Sequence, residues 1–183
     1  MVERFWSSRR FLLAVLILSS CIGCDQATKT LASQSLKNTH GQSLFSGIVR
    51  LEYALNPGGF LSLGSNLPER FRPWFFVACN VGFMLAIGGF LFMNRRIEGK
   101  LFIALSYILA GGIGNLIDRI SNNGQVTDFI NVGIGPLRTG IFNVADMAVM
   151  FGGLAVVALT CREPREQPAC PLKQAVERDA KDE

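Results

Sequence analysis

Charge is what this 183-residue chain has least of. Asp, Glu, Lys and Arg make up 17% of it, against roughly 25% in soluble domains. With hydrophobic residues at 49%, the shortage argues against an ordinary soluble enzyme. The apolar residues fall in blocks, which argues against a disordered chain. Histidine is scarcer still: His40 stands alone, in a polar loop. A serine–histidine relay would have to use it, and no GxSxG surrounds any serine. HExxH is missing, which excludes a zincin. No P-loop or GxGxxG occurs, and Gly111-Gly112-Ile113-Gly114 lies inside an apolar run. Nucleic-acid binding lacks the basic–aromatic cluster it needs. The cysteines (Cys21, Cys24, Cys79, Cys161 and Cys170) are odd in number and scattered. They make neither a disulfide framework nor the second CxxC of a zinc site. They read as small apolar side chains, and no metal is expected.

What the chain does have is four long apolar runs. A helix crossing the ~30 Å core of a bilayer needs ~20 mostly apolar residues. Phe11–Cys24 is uncharged between Arg9-Arg10 and Asp25, and Phe5–Ser8 can lengthen it. Spans are expected at about 8–24, 74–93, 101–117 and 141–161, the last interrupted only by Asp146. Glycines are common within them, and small residues let helices approach closely where no hydrophobic force drives association. Arginine and lysine concentrate before the first run, in the link 94–100 and after residue 161. Basic loops stay cytoplasmic, so both termini are placed inside and the two larger loops outside. Leu18-Ser19-Ser20-Cys21 also looks like a lipobox, whose processing would lipidate Cys21. A retained first helix is preferred because it keeps the span count even.

In the outer loop 25–73, Val49, Leu51, Tyr53 and Leu55 alternate with Arg50, Glu52 and Ala54, a strand pattern. Asn56-Pro57-Gly58-Gly59 then breaks it as a turn. The fold expected is an all-α membrane protein of four transmembrane helices with a small extracytoplasmic β-sheet, forming one domain over 1–161. Residues 162–183, of mixed charge and rich in proline, are expected to be a disordered cytoplasmic tail.

Ionisable residues at membrane depth are costly and point to function. Asp25, Asp118, Asp128 and Asp146 all fall at or just inside the outer boundary in this topology. Asn115–Asp118 and Asn143–Asp146 repeat an Asn-x-x-Asp pattern, which on a helix puts amide and carboxylate on one face. Arg119 follows Asp118 and offers an ion-pair lock. Asp128 and Asp146 are the chemical candidates. Two carboxylates held close share a proton, and such a pair can deprotonate water while protonating a carbonyl oxygen, which is peptide-bond hydrolysis. The competing reading makes Asp128 a cap of a helix or turn and pairs Asp146 with an arginine. A proton-coupled transporter or channel subunit is the other functional class, although a relay would spread its acids through the membrane depth.

These residues resemble lipoprotein signal peptidase, the type II signal peptidase family of bacteria. Asp25-Gln26-Ala27-Thr28-Lys29 is similar to its first motif and Asn56-Pro57-Gly58-Gly59-Phe60 to its second, here one residue shorter than usual and carrying Pro57. Gly111 to Arg119 with Val126-Thr127-Asp128-Phe129 resembles the third, and Phe142-Asn143-Val144-Ala145-Asp146 the fourth. The resemblance implies an aspartyl protease of the bacterial inner membrane that cuts prolipoproteins before the diacylglyceryl-cysteine. It gives Asp128 and Asp146 the catalytic roles. Asn115, Asp118, Arg119 and Asn143 would support the dyad and hold substrate, and Asp25 and Asn56 would act in folding or substrate placement. It implies no cofactor, a monomer, and inhibition by globomycin-type cyclic peptides.

Overall fold

The structure, a computed structural model, describes residues 2–58, 68, 70–94 and 96–161. In chain order its elements are α1 (Val2–Ser35), β1 (Gln42–Leu44), a 3-10 turn (Phe45–Gly47), β2 (Val49–Asn56), α2 (Arg72–Met93), α3 (Gly99–Ser121), β3 (Val126–Ile134), β4 (Leu137–Arg138) and α4 (Val144–Thr160). Among the described residues three helices are long and apolar enough to cross a membrane: α1 from Ser8 to Ser35, α2 and α3. At 17 residues α4 is equally apolar but shorter, about 25 Å at 1.5 Å per residue. The expected membrane bundle with a small sheet is present. The tail 162–183 and the second motif's Gly59 and Phe60 lie outside the described residues.

The first helix differs from expectation. It does not end at Asp25 but continues to Ser35, so the outer loop begins about ten residues later than read. The reason is pairing: Asp25 meets Lys29 one turn on, at 2.8 Å, an i,i+4 contact that supports a helix. Beyond it, Ala32 and Leu36 pack on Phe129 of β3. This apolar contact carries the helix out to the sheet.

At the centre lies α3. Its buried face runs from Phe102 through Ala104, Ile108 and Gly111 to Asn115 and Asp118. Small residues bring α4 against it. A Cβ at Gly111 would collide with the Ala145 carbonyl oxygen, and one at Gly152 would come within 2.8 Å of the Ala104 carbonyl. Gly114 leaves room for Asp25, whose Oδ2 would be 2.7 Å from an added Cβ. By contrast Gly82, Gly88, Gly89 and Gly153 have nothing within 4 Å, so those glycines do not serve packing. Much of α2 presents apolar side chains outward, among them Phe75, Phe83, Leu85 and Phe92, as a lipid-facing helix should.

The sheet is antiparallel throughout, in the order β1-β2-β3-β4. Its central pair sets Ala54 opposite Asp128 and Asn56 opposite Val126. Strand β3 escapes the sequence pattern: its burial is nearly continuous over Val126–Phe129, so no alternation marks it. Phe142 bridges to Ile130, with backbone bonds of 2.8 Å in both directions. That bridge delivers Asn143 and the start of α4 beside Asp128.

Candidate active site

Four backbone N–H groups at a helix start lack intrahelical partners, and in α4 side chains accept from two of them, at Ala145 and Asp146. The Asn143 side chain caps it, its Oδ1 accepting from the Asp146 N–H at 2.9 Å, while the Asp146 carboxylate accepts from the Asn143 N–H at 3.2 Å. This reciprocal capping box corrects the expectation of two residues on one helix face: Asn143 stands before α4, and Asp146 lies in its first turn. Asp25, reaching across from α1, accepts the Ala145 N–H at 2.9 Å. A carboxylate there also suits the positive end of the helix dipole.

The same asparagine holds the second acid. Asn143, fully buried, donates through Nδ2 to Asp128 Oδ1 at 2.7 Å and to Asn115 Oδ1 at 3.1 Å. Asn115 Nδ2 donates to Asp146 Oδ1 at 2.8 Å. On its other side Asp128 Oδ2 accepts from Asn56 Nδ2 at 3.0 Å, and Asn56 is itself fixed by the Gly58 N–H on its Oδ1. Pro57 and the shortened motif leave Asn56 at the site. The two carboxylates, 18 residues apart in sequence, thus share Asn143, each held from a second side by another amide.

Asp118 does not pair with Arg119 as the sequence suggested. Its partners are Lys29 at 3.4 Å, Gln26 at 3.0 Å and the Thr127 N–H at 2.7 Å, and the last bond anchors β3 next to Asp128. Arg119 instead donates to the carbonyls of Asn115 and Gly58 and lies 6.0 Å over the Phe76 ring. Lys29 and Gln26 are the residues that sequence reading left out. Lys29, 4% exposed, reaches Asp25, Asp118 and Asn115 Oδ1. Its spacing of four from Asp25 was the available signal.

Burial, and then the neighbouring Asp146 charge, push the Asp128 carboxyl up to about 6, against the opposing pull of its bonds from Asn56 and Asn143. That is the signature of two acids near one another in a partly dry site. A cavity of about 520 Å³ opens between α2, α3 and α4. Its walls are apolar at Phe83, Met84, Val149 and Met150, and its polar end is made by Asn115, Arg119 and Asp146. Among the described residues no group of three or more His, Cys, Asp or Glu is disposed to hold a metal ion. Among the described residues the buried acids gather at one end of the bundle, without the file of charges through its depth that a proton relay would need.

Residues 17–162 match the family described as Signal peptidase (SPase) II. The chain belongs to the signal peptidase II family. Similar relatives include the lipoprotein signal peptidase of Geobacter metallireducens, 37% identical over 145 residues, covering 78% of this chain and 86% of the relative. That of Syntrophus aciditrophicus is 32% identical over 143 residues, covering 78% and 88%. A solved bacterial membrane enzyme, determined by the in meso method at 2.3 Å, shares the fold with a TM-score of 0.74 at 23% identity, over 86% of this chain and 93% of that one. Signal peptidase II is an aspartic peptidase family, and this member is a multi-pass membrane enzyme.

Proposed function

We propose that Asp128 and Asp146 are the catalytic dyad of a membrane aspartic endopeptidase that removes signal peptides from prolipoproteins, cutting before the diacylglyceryl-cysteine. The observation that carries this reading is Asn143, which bonds to both carboxylates at once. The dyad works with one proton between the two acids. The ionised carboxylate takes a proton from a water held between them, and the water oxygen attacks the scissile carbonyl carbon. The protonated partner gives its proton to the carbonyl oxygen. The tetrahedral intermediate then collapses as the C–N bond breaks and the amide nitrogen takes up a proton. Acid–base help of this kind typically contributes ~10²–10⁴-fold.

Asn115, Asn143 and Asn56 hold the acids, Asp118 and Asp25 hold the elements that carry them, and Arg119 faces the substrate. The cavity suits a peptide with a lipid attached, since its apolar walls run into the polar end where Asp146 lies. The protein acts in the bacterial inner membrane, with both termini cytoplasmic and the site at the outer face, as the arginine distribution supports. One copy holds the whole dyad network, so it functions as a monomer, and globomycin-type cyclic peptides occupy the substrate's place. The test is cleavage of a diacylglyceryl-modified precursor by the purified protein in detergent or nanodiscs. Cleavage before the modified cysteine, blocked by globomycin, is the expected result; an uncut precursor overturns the reading.

A further inference from the structure

Asn80 is a polar residue in a 22-residue helix that carries no charged side chain beyond its first position, Arg72. It lines the same cavity as Asp146, Asn115 and Arg119, from the opposite wall. Its depth follows from how α2 and α3 pass one another. Phe76 lies under Arg119, and Met84 fills the space at Gly112. The helices are antiparallel, and Asn80 stands one turn from each of these α2 residues. It therefore falls level with Asn115, the residue that bonds Asp146.

Two polar atoms of these cavity-lining residues, one on each helix, are buried without a partner among the described residues: Asn80 Oδ1, an acceptor, and Arg119 Nε, a donor. Buried polar groups are nearly always satisfied, so such atoms call for an explanation. They differ in sense, and together they complement a single chemical group. A peptide unit offers one N–H and one C=O. A diacylglyceryl ester offers acceptors only and cannot satisfy Asn80 Oδ1.

We propose that Asn80 is a substrate-binding residue whose side-chain oxygen accepts a main-chain N–H of the precursor near the scissile bond, while Arg119 Nε donates to a main-chain carbonyl beside it. The inference rests on the dyad reading, because it places that peptide segment across the cavity from Asp146. It makes α2 a recognition helix as well as a lipid-facing one, and the part recognised is peptide backbone rather than lipid.

The experiment uses purified full-length protein in nanodiscs with diacylglyceryl-modified precursor peptides. One set is all-amide. In the other, single N–H groups flanking the scissile bond are replaced by ester oxygens, one position at a time. Asn80→Leu is expected to lower kcat/KM on the all-amide peptide about tenfold or more, the loss of a buried hydrogen bond. At one position the ester peptide should be cut equally by wild type and Asn80→Leu. Removing an unpartnered polar atom should leave the thermal midpoint unchanged or raised, and Asn80→Ala supplies a second variant if leucine crowds the cavity. Wild-type kcat/KM in both variants overturns the proposal. So does a penalty that is the same for every ester position. The dyad reading fails separately, through retained cleavage by Asp128→Asn or Asp146→Asn.

Discussion

Replacing Asn143 by serine separates two jobs that one side chain does. The first is capping α4, through Oδ1 and the Asp146 N–H. Serine is as good an N-cap as asparagine and keeps this bond. The second is bridging, through Nδ2, to Asp128 and Asn115, which serine is too short to do. A hydrogen bond to a charged group contributes about 1.5–3 kcal/mol. At about 1.4 kcal/mol per tenfold, loss of the bridge should lower kcat/KM between about 10- and 100-fold. Asn143→Ala loses the bridge and the cap together. It should match the serine variant in activity but be less stable by about 1 kcal/mol, the usual worth of a cap. The assay is cleavage of a lipidated precursor in detergent micelles, alongside denaturant or thermal unfolding of each variant. Wild-type kcat/KM for Asn143→Ser would refute the bridging argument. Equal stability of the two variants would refute the capping argument.

Further outcomes follow from the same contacts. The dyad needs one proton, and Asp128 sits at about 6, so kcat/KM should fall as pH rises above that value. Asn56 stabilises the ionised form of Asp128, so Asn56→Ala should move this alkaline limb to higher pH; an unmoved limb contradicts the assignment. Lys29→Met leaves Asp25 and Asp118 buried without their cation, and breaking such a pair costs about 3–5 kcal/mol. Its thermal midpoint should drop by many degrees, and an unchanged midpoint would mean that the ion cluster does not hold α1 to α3. Gly111→Ala drives a methyl into the Ala145 carbonyl and Val149, an overpacking worth about 1–3 kcal/mol, and should also disturb Asp146 on the same helix. Gly88→Ala, with open space around it, should change neither stability nor activity.

Much of this was legible in the sequence because membrane chemistry is restrictive. Charges are scarce in apolar runs, so Asp25, Asp118 and Asp146 marked themselves, and their common position along the bundle followed from counting spans. The strand at Val49–Leu55 was readable from its alternation of residue types, but its burial does not follow that alternation: Leu55 is exposed, and the register shifts between Leu51 and Ala54. Strand β3 was not, since its buried residues follow one another without alternation. The end of α1 is not legible from charge alone: Asp25 looks like a boundary, but Lys29 neutralises it one turn later and the helix runs on. Nor could spacing say that Asn143 is a cap and Asn115 a helix-face residue. Both stand three places before an aspartate, and only the bridge of Phe142 to β3 settles which one begins a helix. The Asp118–Arg119 adjacency misled for a related reason: neighbours on a helix point to different faces, so the true partner came from α1.

The central claim, that two carboxyl groups on β3 and α4 perform one hydrolysis, is tested most directly by Asp128→Asn and Asp146→Asn in purified, folded form. Each is assayed on a diacylglyceryl-modified precursor by mass spectrometry of the released peptide. Both variants should keep a wild-type-like unfolding profile and release no signal peptide at enzyme concentrations where the wild type goes to completion. Release of the correct fragment by either variant would contradict the account.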